Sequence, residues 1–362
     1  MTAGRITGSN VRLRAAPNGA ILGQLALGTR IEIGETTGGW VAVTAGGQSG
    51  FVSAQFVAPD AAPAGDALPP EDNGTIDADA RNAFTPDGRP FARRTGPGFA
   101  TVGATTIADF LASDRAQSEF AGTPASLLHV IAAASRNEGR LEAINSYDNS
   151  FLSFGALQWT AGQDGNAGEL AALLARLQQR APAAFDSYFG RYGLDLVGAG
   201  GLRSGFLSLA GQTLNSAERK SVLRSALWAY RFWRAGHDPT VRACQIAHAL
   251  ARIDLFRGAT AGAGPVSAYV TSEYGVALLL DEHVNRPGHV PGTLAGAIQT
   301  FIGAGGKPDP SNWTDADEAE LLALYIERRN ATNMTDSAKR ATNVAAALAA
   351  GTLSASRGSF RT

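Results

Sequence analysis

Short apolar runs alternate with turn residues through residues 1–58. Val11-Arg12-Leu13-Arg14 leads to Pro17-Asn18-Gly19, Ile21-Leu22 to Gly28, and Ile31-Glu32-Ile33 to Gly38-Gly39. Trp40-Val41-Ala42-Val43 then leads to Gly46-Gly47, followed by Gly50-Phe51-Val52. Runs of about four to six residues between Gly-bearing turns predict the strands of a small all-β barrel. The pattern stops at 58. Residues 59–76 are dominated by Pro, Ala, Gly and Asp and keep no apolar period, which predicts a semi-extended linker. Residues 77–104 stay broken by Gly and Pro and are expected to wrap the domain that follows.

From about residue 105 the apolar spacing becomes helical. Thr123-Pro124 opens a helix over 123–138 with Pro at its first position, and Leu127, Leu128, Ile131 and Ala134 mark the buried face. Further helices are predicted over 168–181, 216–235, 239–256, 265–284, 292–303, 314–330 and 335–349. Thr314 followed by Asp315, Asp317 and Glu318, with Arg328-Arg329 at the far end, complements the helix dipole at both ends. The exception is 144–160, INSYDNSFLSFGALQWT, whose aromatic, Ser and Asn content predicts a hairpin or small sheet. The expected organisation is therefore a β domain over 1–58, a linker and wrapping segment over 59–104, and a mainly α domain with a small β element over 105–362.

Composition narrows the function classes. Hydrophobic residues make up 44% of the 362 positions, enough for a sizeable core, so global disorder is excluded. The 31 Lys+Arg against 32 Asp+Glu leave a net charge of −1, which excludes wholesale electrostatic capture by nucleic acid or anionic lipid. A single cysteine, Cys244, excludes an internal disulfide framework and a cysteine-based zinc site. The opening MTAGRITGSN lacks the apolar stretch of a secretory signal, and no apolar run approaches the ~20 residues of a spanning helix. The chain is thus expected to be made in the cytoplasm, with no membrane insertion.

Two acids stand out by position. Glu138, in Ser135-Arg136-Asn137-Glu138-Gly139, is expected to close the 123–138 helix, with Gly139 just past the end. The tail of a helix carries partial negative charge, so a half-buried carboxyl there should have a raised pKa. That is what a general acid for glycosidic cleavage requires. Ten residues on, Tyr147-Asp148-Asn149 precedes Phe154-Gly155-Ala156-Leu157-Gln158-Trp159. A polar turn and a strand of this kind would form the far wall of a cleft opposite Glu138, with Asp148 as the second carboxyl across the scissile bond. Asp148 also reads as a turn former that starts the hairpin. Tyr147, Asn149, Gln158 and Trp159 are candidate substrate contacts, with a place in the core as the competing reading for Trp159. Glu142 reads as a surface acid.

Two resemblances carry these observations further. The N-V-R-x-R-x-x-P-N-G opening, the G-T-R-I-E-I and G-W-V-A-V strands and the closing G-F-V-S-A-Q-F-V resemble the bacterial SH3-like (SH3b) family over residues 7–58. That resemblance implies a module that commonly attaches to bacterial cell walls. Asn137-Glu138-Gly139 with the 147–159 region looks like the catalytic region of the lysozyme-like superfamily: goose-type lysozymes, lytic transglycosylases and chitosanase-like hydrolases. It implies that Glu138 is the acid, with Asp148 or a substrate group assisting. The Glu-to-Asp spacing of ten is shorter than goose-type enzymes usually show, which leaves open a single-acid transglycosylase route.

The remaining clusters read more plainly. The aromatic and arginine-rich stretch 216–235 suits a buried central helix whose arginines snorkel or pair with acids. Asp281-Glu282-His283-Val284-Asn285-Arg286-Pro287-Gly288-His289 matches no metal-binding spacing. It is expected instead to bring His283 and Asn285 to the far side of the sugar cleft. His237, His248 and Cys244 read as structural, and no phosphate-loop, dinucleotide or α/β-hydrolase motif occurs in context.

The expectation is a monomeric peptidoglycan hydrolase of the muramidase type, needing no metal or organic cofactor. Its partner would be the peptidoglycan glycan strand. Without a standard signal it would reach the wall as a phage endolysin or as an injected antibacterial effector, the latter with a delivery apparatus and an immunity protein. The alternatives are a chitosanase-like hydrolase or lytic transglycosylase, and a non-catalytic wall-binding or structural protein.

Overall fold

Period-two alternation builds the N-terminal unit. In Trp40–Ala45 the residues Val41, Val43 and Ala45 are buried and their neighbours half-buried. Their inward faces meet Ile6, Val11, Leu13, Ile31 and Val52 in one small core. The seven strands pair antiparallel in the order Ile21–Leu25, Val11–Arg14, Gln48–Ser53, Trp40–Ala45, Arg30–Thr37, Thr2–Ile6, Val57–Pro59. The computed structural model describes residues 2–6, 11–26, 29–59 and 68–362. Asn10 of the opening motif, Gly28 and the linker positions 60–67 lie outside the described residues. The chain divides into two units, Met1–Ala67 and Leu68–Thr362, each with its own core.

The second unit is mainly helical around a large apolar core. Its start is not free chain. Arg231 makes an ion pair with Asp72 at 3.1 Å, Tyr230 donates to the carbonyl of Pro70, and Arg234 to that of Pro69. The last residues of the expected linker are therefore held against the Ala226–Ala235 helix. The segment expected to wrap this domain does so as strands. Asn82–Phe84, Pro90–Thr95 and Gly98–Thr101 join the expected hairpin, now Ile144–Asn145, Ser153–Phe154 and Trp159–Thr160, in one six-stranded antiparallel sheet.

Several helices differ from the expected spans for local reasons. The 216–235 stretch breaks because Ser225 is extended and caps a new helix by accepting from the Trp228 amide. Residues 265–284 break likewise at Ser272, which accepts from the Gly275 amide. A helix at Pro182–Tyr188 and a three-stranded sheet at Leu194–Val197, Phe206–Leu209 and Gln212–Thr213 occupy a stretch assigned no element from sequence. Its Gly-rich composition hides the alternation. Lys220 is buried and donates to the carbonyls of Gly162, Gln163 and Asn166, which fixes the loop after the hairpin.

Within the described residues no helix is long and apolar enough to cross a membrane. The sheet places the site-bearing hairpin through the pairing of Gly98–Thr101 with Ile144–Asn145 and a tight contact at the end of that pairing. Ser146 exchanges hydrogen bonds with the backbone of Phe99, and a Cβ on Gly98 would lie 2.2 Å from the Ser146 carbonyl oxygen. Gly98→Ala should therefore cost about 2–3 kcal/mol of stability, read as a lower urea midpoint of the second unit. An unchanged midpoint would show that the sheet does not hold the hairpin.

Candidate active site

Glu138 stands where the Ala125–Ala134 helix gives out. A 3-10 turn, Ser135–Asn137, follows the helix, and Glu138 is already extended. The expected explanation, a carboxyl at the tail of its own helix, is thus corrected: the helix dipole ends four residues earlier. Gly139 is not a left-handed helix stop either. It is required by crowding, since a Cβ there would lie 2.7 Å from Ala143 Cβ and 2.9 Å from Gln158 Nε2.

The surroundings of Glu138 are ionic and buried. Its Oε1 accepts from Arg340 Nη2, and the two side chains are 13% and 10% exposed. The same guanidinium nitrogen lies 2.8 Å from Asp281 Oδ1. Asp281 Oδ2 in turn lies 3.0 Å from Arg329 Nη1, both side chains fully buried. Asn137 braces the junction: it donates to Asp281 Oδ1 and to the Arg340 carbonyl, and its own oxygen accepts from Asn343. Four charges of alternating sign thus run inward from Glu138 to Arg329.

Burial pushes the Glu138 carboxyl above its ordinary value, and Asp281 adds to the rise. Arg340 and, less strongly, Arg252 oppose it, but burial outweighs them. Glu138 lines a cavity of about 300 Å³ together with Thr106, Ser135, Arg136, Gly139 and Arg140. A carboxyl with a raised pKa beside a cavity is equipped to hold a proton for a leaving oxygen.

The other expected site residues divide. Gln158, at φ +50°, donates to the Gly155 carbonyl and sits beside Gly139, so it is brought to Glu138. Asp148 lies in the loop between Ile144–Asn145 and Ser153–Phe154. Its Oδ2 accepts from Asn145 and its Oδ1 from the Ser150 amide, the geometry of a turn former. Tyr147 and Asn149 are exposed on the same loop. Arg224 pins this loop from outside by donating to the Ser146 and Asp148 carbonyls. Trp159 is 2% exposed and edge-on to His248 at 5.7 Å, so it is core and offers no platform to a sugar. Glu142, expected at the surface, is 1% exposed and accepts from the Ala104 and Thr105 amides, because it ties the 103–105 turn to the site.

His283 and Asn285 end the Glu273–Asn285 helix. His283 is buried and faces a different set of groups, Glu169 and Arg252. Those two were missed in the sequence. Glu169 opens the Glu169–Arg180 helix and accepts from Arg252 Nε at 2.6 Å and from His248 Nε2 at 3.1 Å. Burial pushes its carboxyl up, but His248 and Arg252 outweigh burial and pull it down to about 2. Gln245, also missed, donates to the Leu141 carbonyl and accepts from the Ala156 amide, which locks the hairpin to the Pro239–Arg257 helix. Cys244 is buried, and burial pushes its thiol up to about 11, far from a nucleophile's range. No group of three His, Cys, Asp or Glu arranged to hold a metal ion occurs among the described residues.

Comparison with known proteins identifies one part of the chain. Residues 7–58 match the bacterial SH3 domain family. No curated protein and no solved structure matches the chain. The bacterial SH3 domain accounts for the N-terminal β unit, and the helical unit rests on its own geometry.

The depressed Glu169 gives a clear acid dependence. Its ionised form contributes stability above the unfolded value of about 4.3, and that contribution disappears as pH falls toward the folded value of about 2. Glu169→Gln should lose about 2–3 kcal/mol at pH 7 and show a flatter fall in Tm between pH 4 and 2 than the parent. Parallel Tm curves would show that Glu169 is not held by its partners.

Proposed function

We propose that the chain is a peptidoglycan hydrolase of the lysozyme-like kind, with the bacterial SH3 domain as wall anchor and Glu138 as general acid. The observation that carries this reading is a buried carboxyl of raised pKa, lining a cavity and followed directly by a small β-hairpin. Glu138 would protonate the glycosidic oxygen between amino sugars as the bond breaks. Arg340, fixed by Asp281 and Asn137, would hold the carboxyl in place and stabilise the carboxylate left after proton transfer. The tethered anchor would raise the local concentration of glycan strands at the cleft without new contacts there.

The geometry of Asp148 favours a second version of the same chemistry. Both of its oxygens are engaged within its own turn. A carboxylate so occupied is a poor nucleophile or base. The attack at the anomeric carbon would then come from a substrate hydroxyl, as in a lytic transglycosylase.

Glu138→Gln should reduce lysis of purified peptidoglycan by roughly 10²–10⁴-fold while wall binding by residues 1–67 is unchanged. Mass spectrometry of the parent's products separates the routes: 1,6-anhydro ends from transglycosylation, reducing ends from hydrolysis. Undiminished lysis by the Gln variant would remove Glu138 from the chemistry. Absence of any glycan product from the parent would leave a wall-binding protein.

A further inference from the structure

The cavity beside Glu138 carries positive charge that no residue answers. Arg136 and Arg140 both line it, and neither side chain makes a hydrogen bond or ion pair with a described residue. The acids around them are already engaged. Glu138 and Asp281 are answered by Arg340 and Arg329 within the inward row of charges. Glu142 accepts from the Ala104 and Thr105 amides and lies 3.8 Å from Arg242. Asp109, on the short helix Ile107–Leu111, accepts from the Thr106 amide as half of a capping box. Counted in full, its single charge still leaves the rim positive.

A lone unpaired arginine on a surface is ordinary. These two bracket the candidate acid, two residues before and two residues after it, and their backbones are fixed. Arg136 lies in the 3-10 turn Ser135–Asn137, which Asn137 ties to Asp281 and Arg340. The Arg140 carbonyl accepts from the Ala143 amide, and the next amide, of Leu141, donates to Thr105. A Cβ on Gly103 would lie 2.8 Å from Arg140 Cβ, so the 103–105 turn packs directly on its root. Two flexible side chains of one sign thus rise from a rigid frame on either flank of Glu138. A guanidinium grips a carboxylate with two parallel hydrogen bonds, and such charge-assisted bonds are the strong ones.

We propose that the Glu138 cavity selects an anionic glycan, with Arg136 and Arg140 holding a carboxylate carried by a sugar near the bond to be cleaved. The assignment deepens the hydrolase reading and rests on it for the glycan that bears the carboxylate. Peptidoglycan offers that group in two places, the lactyl ether of its muramic acid and the peptide stem attached there. A polymer of free amino sugars carries ammonium groups instead, which the two arginines repel. Among the substrates open to this fold of site, the charge therefore favours peptidoglycan over chitosan.

Calorimetric titration of the full-length Glu138→Gln chain tests this with three tetrasaccharides. One is the neutral tetramer of N-acetylglucosamine. The second alternates N-acetylglucosamine with N-acetylmuramic acid and has free lactyl carboxylates. The third is the same tetramer bearing peptide stems. At least one charged tetramer should bind about tenfold more tightly than the neutral one. The bare tetramer as the tighter ligand assigns the carboxylate to the lactyl group, and the peptide-bearing one assigns it to the stem. Adding Arg136→Gln and Arg140→Gln should bring the ratio to within twofold. Arg136→Lys with Arg140→Lys should restore at least threefold, since charge survives without the fork. Both arginines lie in the helical unit, so a preference arising in the bacterial SH3 domain would survive their replacement. Equal binding of all three tetramers, no binding of any, or a ratio untouched by the double Gln change would each overturn the assignment. Should the double variant bind nothing, Arg136→Gln alone, at an exposed position, must lower the ratio at least threefold, and an unchanged ratio there overturns it as well. Loss of the carboxylate preference with lysis intact removes this assignment alone. Undiminished lysis by Glu138→Gln removes the acid from the hydrolase reading and leaves these ratios standing.

Discussion

The second unit is organised around a buried row of charges, Glu138–Arg340–Asp281–Arg329. Each charge in the interior would be costly alone, and each is answered by a neighbour of opposite sign. The row draws its members from four separate stretches of chain, so the folds of those stretches must agree before it can form. It also explains why Glu138 lies where it does. Arg340 holds its oxygen, and Asn137 ties the preceding turn to the same two partners. Burial raises the carboxyl despite the arginine, and Asp281 limits how much of the positive charge of Arg340 acts on Glu138. Buried pairs of this kind contribute little net stability and much geometric definition.

Around this row the chain supplies a frame that fixes the hairpin after Glu138. Gln245 binds it from the Pro239–Arg257 helix, Arg224 from the 3-10 turn Ser221–Arg224, and Phe99 from the strand Gly98–Thr101 through Ser146. The aromatic Ala226–Ala235 helix lies in the core and holds residues 69–72 at the surface of the unit. The end of the linker thus has a defined anchoring point on the helical unit. The bacterial SH3 domain has a separate core and needs none of these contacts.

Much of this was readable from residue order. Strict alternation in Trp40–Ala45 and the Gly-bearing turns specify the β unit, because a one-residue slip would turn Val41 and Val43 outward. Capping residues Thr314 and Asp317 mark their helix start by local chemistry alone. What could not be read is non-local. Arg340 and Asp281 lie about two hundred and one hundred and forty positions from Glu138, and nothing in their own neighbourhoods marks them as its partners. Glu169 looks like an ordinary first-turn acid until Arg252 and His248 arrive from another helix. The true end of the 123–138 helix is hidden in sequence because Ser135-Arg136-Asn137 carries no Gly or Pro to mark where the helix tightens into a 3-10 turn, and Gly139 offers itself as the stop. Trp159 reads as an aromatic beside the site, yet its short edge strand turns the ring inward, edge-on to His248 and 2% exposed.

The central claim is that burial within the Arg340–Asp281 row keeps the Glu138 carboxyl protonated to a higher pH than an ordinary glutamate. Carboxyl carbon-13 NMR, with Glu138 assigned by its loss in Glu138→Gln, follows that proton directly. The account predicts a Glu138 midpoint above the usual carboxylate range, moving higher still in Arg340→Met as the opposing charge is removed. A midpoint at or below the range of exposed glutamates, unmoved by the loss of Arg340, would contradict it.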